Sequence, residues 1–169
     1  MIFFKNILII IKSIIYYFFD SLVFLLNRTT CNRFSKNIQL VFLIRQDGIG
    51  DFVIWLDTAK EYRKLFPPKK YKIVLIGNEL WCNLAESLPY WDDVIPVNIK
   101  KFKTLSFYRL KILHKIMNSN ASIAIQPTFS REFYHGDSLV RASQASKKIS
   151  SVGDMGNRNR IKQIIADRW

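Results

Sequence analysis

Two aspartates and two glycines lie close together in the stretch Arg45-Gln46-Asp47-Gly48-Ile49-Gly50-Asp51. An aspartate in such a place can act as a general base, because its carboxylate accepts a proton from a reacting hydroxyl. The same carboxylate can instead cap a helix by accepting hydrogen bonds from free backbone N–H groups. Gly48 and Gly50 are expected to let the backbone bend sharply and to leave space for a ligand. The spacing alone leaves both functions open for Asp47 and Asp51.

The sequence on either side predicts the order strand, turn, helix. The run Gln39-Leu40-Val41-Phe42-Leu43-Ile44 is branched and aromatic and too short for a typical helix, as in a strand covered on both faces. After the glycines, apolar residues recur at steps of three and four and predict one buried stripe on a helix: Phe52, Trp55, Leu56, Ala59, Tyr62, Leu65 and Phe66. Asp51 would then lie at the carboxyl end of a strand, where open α/β sheets bind their ligands.

Further apolar runs predict a Rossmann-like α/β domain, a parallel sheet with helices on both faces. We expect strands at residues 40–44, 72–76, 94–97, 122–125 and 149–152. Pro96 indicates that the third strand lies near a sheet edge, because proline cannot donate to the hydrogen-bond ladder. Gly77 and Asn78 are expected to turn the chain after the second strand.

A second candidate loop follows the fourth strand. It reads Gln126-Pro127-Thr128-Phe129-Ser130-Arg131 and would open onto the same crevice as Asp51. Arg131 can hold a phosphate or carboxylate through its bidentate guanidinium, and a plain surface position fits equally well. Asp137 is expected to cap a helix over residues 138–145. His135 has no acidic partner or metal-ligand set in the sequence, so a direct role for it is not favoured.

Several classes of protein are disfavoured by composition and by missing motifs. Val53 stands where the third glycine of a dinucleotide fingerprint would be, and the P-loop Lys-Ser/Thr pair is missing. Cys31 and Cys82 lack the spacing of a zinc site or a disulfide framework. The 169 residues carry 26 Lys and Arg against 13 acidic residues, a net charge of +13, which favours an anionic partner. Nucleic acid is not expected, because the basic residues are dispersed and no recognition motif is present.

Residues 1–26 are strongly apolar but are interrupted by Lys5, Lys12 and Asp20. On a helix, Asn6, Ser13 and Asp20 fall toward one side and form a narrow polar stripe. A spanning helix needs about 20 largely uncharged residues, and no uninterrupted run here approaches that length. The preferred interpretation is a helix that projects from the domain and lies in the membrane surface. A true span and a docked soluble helix are the alternatives.

A basic linker follows this segment. Arg28, Arg33 and Lys36 come directly after it and, by the positive-inside rule, keep the downstream domain in the cytoplasm. We therefore divide the chain into a membrane-associating helix with its linker (1–37), a Rossmann-like domain (38–155), and a tail or the start of a further unit (156–169). The expected location is peripheral, on the inner face of the cytoplasmic membrane, with a single span as the alternative.

The stretch L-I-R-Q-D-G-I-G-D-F-V-I-W-L-D-T-A-K-E-Y-R-K-L-F-P resembles the opening of the glycosyltransferase family 9 proteins, the ADP-heptose:lipopolysaccharide heptosyltransferase group. The later stretch Q-P-T-F-S-R-E-F-Y-H-G-D-S-L-V-R-A-S-Q-A is similar to a second block of some members, so the match runs over residues 39–153. The resemblance implies the N-terminal half of a GT-B fold, in which two Rossmann-like domains face each other. It implies that Asp51 is the catalytic base and that the acceptor lies against Asp47, Gly48, Ile49, Gly50, Thr128, Arg131 and Asp137.

The resemblance also implies the partners. The acceptor would be an anionic glycolipid or glycan such as lipopolysaccharide, and the donor a nucleotide sugar held by the C-terminal domain. No metal or other cofactor is required. At 169 residues the chain fits one Rossmann-like unit, so a truncated N-terminal half is expected. The alternative is a membrane-associated Rossmann-like binding module without catalysis.

Overall fold

Five parallel strands form one sheet in the computed structural model, which describes residues 2–27, 38–154 and 162–164, and within the first helix the side chains of residues 7–25. The strands are β1 (Gln39–Arg45), β2 (Tyr71–Asn78), β3 (Asp93–Val97), β4 (Ile123–Gln126) and β5 (Lys147–Ser150). Their order across the sheet is β3-β2-β1-β4-β5. The order reverses between β1 and β4, and such a switch point is where open α/β sheets bind ligands. The predicted Rossmann-like sheet is confirmed.

Helices cover both faces of this sheet. They are α1 (Ile2–Asn27), α2 (Ile49–Leu65), α3 (Cys82–Glu86), α4 (Ile99–Phe102), α5 (Phe107–Met117) and α6 (Ser138–Ala142), and one π-helical turn (Phe133–Asp137) leads into α6. Val41 and Leu43 of β1 pack toward α2 and α3, whereas Phe42 and Ile44 pack toward α5 and α6. All four side chains are fully buried, as expected of a strand that is covered on both faces.

Aromatic side chains hold the start of α2 against the sheet. The rings of Phe52 and Trp81 stack with their centroids 4.0 Å apart, and those of Trp55 and Trp91 are parallel at 6.3 Å. Aromatic pairs of this kind contribute roughly 0.5–1.5 kcal/mol beyond their buried area. The first turn of α2, which carries Asp51, is thereby fixed relative to β1 and β2.

The predicted turn at Gly77 and Asn78 is wrong, because both residues belong to β2. Gly77 pairs with Arg45 on one side and with Pro96 on the other. A Cβ at Gly77 would lie 2.7 Å from the Trp81 ring, so only glycine at this position lets the indole pack against the strand. Pro96 does lie in the edge strand β3, as predicted.

Smaller differences occur at the ends of elements. Leu65 was expected in the buried stripe of α2, but it is 68% exposed, because Tyr62 and Phe66 are the residues that face the core at this end of the helix. β5 lies two residues earlier than predicted, and α6 is shorter than predicted. Of the tail predicted at residues 156–169, only 162–164 lie among the described residues.

Helix α1 packs on the domain instead of projecting from it, so that part of the prediction is wrong. Its buried residues Ser13, Tyr16, Asp20 and Val23 share one side, which faces α5 and α6. Ser13 and Asp20 of the polar stripe find their hydrogen-bond partners inside the protein, and this is the physical reason for the docking. Residues Ile7–Leu25 are also long and apolar enough to cross a bilayer, a test that core helices and signal segments pass as well. Arg28, Arg33 and Lys36 lie outside the described residues.

Candidate functional site

The candidate site is the segment that joins β1 to α2, called here the β1 loop (residues 46–51), which includes the first helical turn. Gly48 is the N-cap of α2, and its carbonyl accepts the hydrogen bond of the Phe52 N–H. Among the described residues, no backbone N–H of this turn donates to the carboxylate of Asp47 or Asp51. The hypothesis that either side chain serves as a hydrogen-bonding cap is therefore wrong. Asp51 still lies in the first turn, where a negative charge complements the helix dipole.

Asp47 is held from several directions. Its carboxylate lies 3.1 Å from Arg45 Nη2 and accepts a weak 3.4 Å hydrogen bond from the Thr128 hydroxyl. Its backbone carbonyl accepts hydrogen bonds from Trp81 Nε1 at 2.9 Å and from Asn78 Nδ2 at 3.2 Å. Burial raises the pKa of Asp47 above its ordinary value, although Arg45 and the Thr128 hydrogen bond oppose that shift. Asp47 thus fixes the loop and connects it to the neighbouring loop after β4.

Asp51 differs from Asp47 in being exposed, at the carboxyl end of β1. Arg45 Nη2 donates to the Asp51 backbone carbonyl at 3.3 Å, so the guanidinium holds the main chain of this residue. Within the described part of the chain, no hydrogen bond or ion pair engages the Asp51 carboxylate. The structure therefore leaves one carboxylate of the loop available to a reacting group.

The two glycines of the β1 loop keep space open. Gly48 has φ −66°, and among the described glycines only Gly153 has a positive φ. The prediction that these glycines permit a sharp bend is wrong, because other residues adopt the same backbone. A Cβ at Gly50 would meet nothing within 4 Å, and one at Gly48 would meet only Asp51 Oδ2, at 3.8 Å. Both positions face open space, and the binding of a ligand there stays a prediction.

Arg131, Asp137 and Ser151 form a second polar group, which is called here the brace. Arg131 Nε donates to Asp137 Oδ1 at 2.9 Å, and Arg131 Nη1 donates to the Ser151 carbonyl at 3.1 Å. The two side chains are 4% and 1% exposed. The predicted cap by Asp137 is wrong, because no side-chain cap bond is made at the start of α6 and the carboxylate binds Arg131 instead. The brace connects the segments that follow β4 and β5.

The predicted site residues therefore fall into two sets. Ile49, 55% exposed, lies in the open β1 loop beside Asp51, and Thr128 joins that loop through Asp47. Arg131 and Asp137 are buried in the brace, and their predicted contact with an acceptor stays a prediction. No group of three or more His, Cys, Asp and Glu side chains in the described ranges is placed to hold a metal ion.

Three residues that position the loop were not identified from the sequence. The pairing of Arg45 with Asp47 could have been predicted. Arg45 ends a strand two residues before Asp47, and alternate residues of an extended segment point the same way. The contacts of Asn78 and Trp81 with the β1 loop were not predicted, because a turn was expected at Gly77 and Asn78 instead of the end of β2. Their roles depend on β2 continuing through Asn78, one residue beyond its last pair with β1.

No family sequence model and no curated protein sequence matches the chain. Two solved structures share its fold. The glycosyl transferase family 9 protein from Veillonella parvula DSM 2008 aligns with a TM-score of 0.57 and 14% identity, over 80% of this chain and 42% of that chain. The E. coli ADP-heptose lps heptosyltransferase II aligns with a TM-score of 0.50 and 14% identity, over 72% of this chain and 34% of that chain.

This chain thus spans less than half the length of either protein, and the match lies in their N-terminal portion. At this identity the likeness is one of fold. The chain has the Rossmann-like α/β fold of the N-terminal half of a GT-B glycosyltransferase, with an apolar helix before it.

Proposed function

We propose that this chain supplies the acceptor-binding part of an inverting glycosyltransferase of the family 9 type. The reaction transfers a sugar from a nucleotide sugar to lipopolysaccharide or another anionic cell-surface glycan. The observation that carries the proposal is the difference between the two aspartates of the β1 loop. Asp47 is engaged by Arg45 and Thr128, whereas the Asp51 carboxylate is exposed at the switch point of the sheet.

Asp51 is the catalytic base in this proposal. The acceptor hydroxyl oxygen attacks the anomeric carbon of the donor sugar and forms the new glycosidic bond. The bond from that carbon to the diphosphate breaks, and the hydroxyl proton moves to the Asp51 carboxylate. Attack from the face opposite the leaving group inverts the configuration. General-base assistance of this kind typically contributes about 10² to 10⁴ in rate.

Arg45 and Asp47 act as positioning residues. The guanidinium holds the Asp51 main chain at 3.3 Å, and its charge is balanced by Asp47 at 3.1 Å. Without Asp47, Arg45 would be able to pair with the Asp51 carboxylate and hinder it from accepting a proton. The ion pair therefore both fixes the turn and keeps the base accessible.

The space above Gly48 and Gly50 admits the acceptor to the same edge of the sheet. The net charge of +13 favours an acceptor that carries phosphates or carboxylates. The donor is held, in this proposal, by the second Rossmann-like unit that the family resemblance implies. Dipoles or cations of that unit stabilise the leaving diphosphate.

The test compares Asp51→Asn with Asp57→Asn in enzyme that carries both Rossmann-like units. Asp57 lies on the same helix and its side chain is 92% exposed, so its variant makes the same charge change away from the crevice. We expect Asp51→Asn to lower the transfer rate by about 10² or more. Its unfolding free energy should change by less than about 1 kcal/mol, because no hydrogen bond is lost and only the dipole interaction changes.

Asp57→Asn should keep the wild-type rate and stability, since an exposed pair with Lys60 contributes little. Rates come from product formation with a nucleotide-sugar donor, and stabilities from thermal melts. A fully active Asp51→Asn enzyme would place the base elsewhere, with Asp47 the next candidate on the same loop. Absence of transfer by the wild-type enzyme would favour the non-catalytic binding module.

A further inference from the structure

Helix α1 presents a continuous apolar face to the outside of the protein. Its outward residues recur at helical spacing over residues 7–25, a length of about 27 Å at 1.5 Å per residue. They are Ile7, Leu8, Ile11, Ile14, Ile15, Phe18, Leu22 and Leu25. Soluble proteins rarely expose apolar patches of this extent unless the patch binds a partner or a membrane.

The opposite side of α1 is anchored in the domain by a buried ionic network. Arg109 binds Asp20 in a bidentate manner, through Nε at 2.9 Å and Nη2 at 2.7 Å, and both side chains are at most 1% exposed. The Ser138 hydroxyl donates to Asp20 Oδ2 at 2.6 Å, and Arg141 Nη2 lies 3.4 Å from the same oxygen. Removing one partner of such a pair leaves a buried charge uncompensated, which is strongly unfavourable.

The anchoring continues toward the N-terminal end of the helix. The Tyr16 hydroxyl donates to the Lys103 carbonyl, and the Ser13 and Tyr134 hydroxyls are 3.1 Å apart. Lys12 lies at the edge of the apolar face, with its ammonium 5.2 Å from the Tyr134 ring centroid. Because the contacts extend from residue 13 to residue 20, α1 cannot turn to cross a bilayer without losing them.

A basic segment with exposed apolar side chains adjoins α1 at the Tyr16–Lys103 contact. Two and four residues beyond Lys103, Leu105 is 40% exposed and Phe107 is 81% exposed. Four exposed lysines surround them in the sequence, namely Lys100, Lys101, Lys103 and Lys111. Apolar side chains bordered by lysines are typical of surfaces that insert into the headgroup region of anionic membranes.

We propose that α1 and residues 100–111 form one membrane-binding surface, and that α1 lies in the plane of an anionic bilayer without crossing it. The occupant is a lipid surface because the apolar face adjoins clustered positive charge on a chain with net charge +13. A second copy would bring like charges together. This inference is independent of the proposed transfer reaction, since it uses none of the residues of the β1 loop or the brace.

Vesicle flotation of the full chain tests the surface. We expect the chain to float with phosphatidylcholine vesicles that contain phosphatidylglycerol and to bind far less to phosphatidylcholine alone. The double variant Ile11→Asp with Phe18→Asp should weaken binding at least ten-fold, because two membrane-facing apolar side chains are replaced by charge. Ile54→Asp is the matched control, since Ile54 is 81% exposed on α2, away from this surface, and its replacement should leave flotation unchanged.

Replacing Lys100, Lys101 and Lys103 together by glutamine should weaken binding to the anionic vesicles by about five-fold per lysine that meets the lipid. Circular dichroism and thermal melts establish that each variant is folded. Absence of flotation by the folded wild-type chain would overturn the proposal. A concentration-dependent dimer that Ile11→Asp with Phe18→Asp abolishes would overturn it too, since a second copy would then cover the face.

Depth measurements separate an in-plane helix from a span. Nitroxide labels at Leu8→Cys and Leu25→Cys, in a background with Cys31→Ser and Cys82→Ala, report how deep each end of α1 lies. The proposal requires similar, shallow depths at both positions. A large difference in depth between the two labels would show a crossing helix and contradict the in-plane arrangement.

Discussion

The β1 loop and the brace contain the same types of residue and use them in opposite ways. In each region an aspartate pairs with an arginine: Asp47 of the β1 loop with Arg45 at the end of β1, at 3.1 Å, and Asp137 of the brace with Arg131, at 2.9 Å. In the β1 loop a second carboxylate, that of Asp51, remains exposed beside the pair. In the brace both charged side chains are buried. The comparison indicates that the brace joins the segments after β4 and β5, whereas the β1 loop leaves one carboxylate exposed.

The glycines near the β1 loop and near the brace differ in how much space surrounds them. Gly50 has open space where a Cβ would stand. A Cβ at Gly136 would lie 2.1 Å from Gln126 Nε2, and one at Gly153 would lie 1.9 Å from the Phe129 carbonyl oxygen. Glycine in the brace region serves close packing, whereas glycine in the β1 loop leaves room. The identity of a residue therefore does not separate a scaffold from a site, and its surroundings do.

At neutral pH the largest expected effect on stability is that of Gly153→Ala. Gly153 has φ +65°, a conformation that costs an L-residue roughly 1–2 kcal/mol, and the added methyl group would also displace the Phe129 carbonyl. We expect the unfolding free energy to fall by roughly 2 kcal/mol or more in denaturant titrations. Gly50→Ala is the matched change in the β1 loop and should gain up to about 1 kcal/mol, because alanine favours the helix. Equal stabilities of the two variants would contradict the claim that Gly153 is closely packed whereas Gly50 faces open space.

The next effect concerns acid stability. Burial lowers the pKa of His135 to about 3, and the charges of Lys103 and Arg109 act in the same direction. Between pH 6.5 and about 3 the unfolded chain therefore binds a proton that the native chain does not. The unfolding free energy should fall as the pH drops through this window, with a slope approaching about 1.4 kcal/mol per pH unit.

Denaturant titrations over this pH range measure that slope. His135→Gln should flatten it, whereas His114→Gln, which changes an exposed histidine on α5, should leave it as in the wild type. A wild-type stability that is constant between pH 6.5 and 4 would contradict a neutral, buried His135.

The four strands β1 to β4 could be predicted from the sequence because they contain short apolar runs, whereas β5, which reads Lys-Lys-Ile-Ser, was placed two residues too late. β1 and α2 followed from periodicity, and the edge position of β3 followed from Pro96. The end of β2 could not be predicted, since Gly77 and Asn78 are typical turn residues and only the packing of Trp81 against Gly77 explains the longer strand. Local sequence carries no information about such a contact between a glycine and a ring.

The candidate site was predictable in position but not in detail. The order of strand, glycine-containing loop and helix correctly predicted that Asp51 lies in the first turn of a helix, at the carboxyl end of β1. The pairing of Arg131 with Asp137, and the docking of Asp20 onto Arg109, involve side chains whose partners depend on tertiary packing. Sequence spacing alone gives each of these residues a surface or capping role. The structure shows that they are paired and buried in the interior.

The most direct test of the account is a titration of this chain with a phosphorylated oligosaccharide from lipopolysaccharide, followed by the backbone amide signals in NMR spectra. We expect saturable shifts at residues 47–51 and at Thr128, and much smaller ones at Gly136 and Gly153. In Gly50→Ala the apparent affinity should fall although the protein is at least as stable as the wild type, because the methyl group occupies the open space. Shifts confined to the brace, or the absence of shifts at residues 47–51 at saturation, would contradict an acceptor site in the β1 loop.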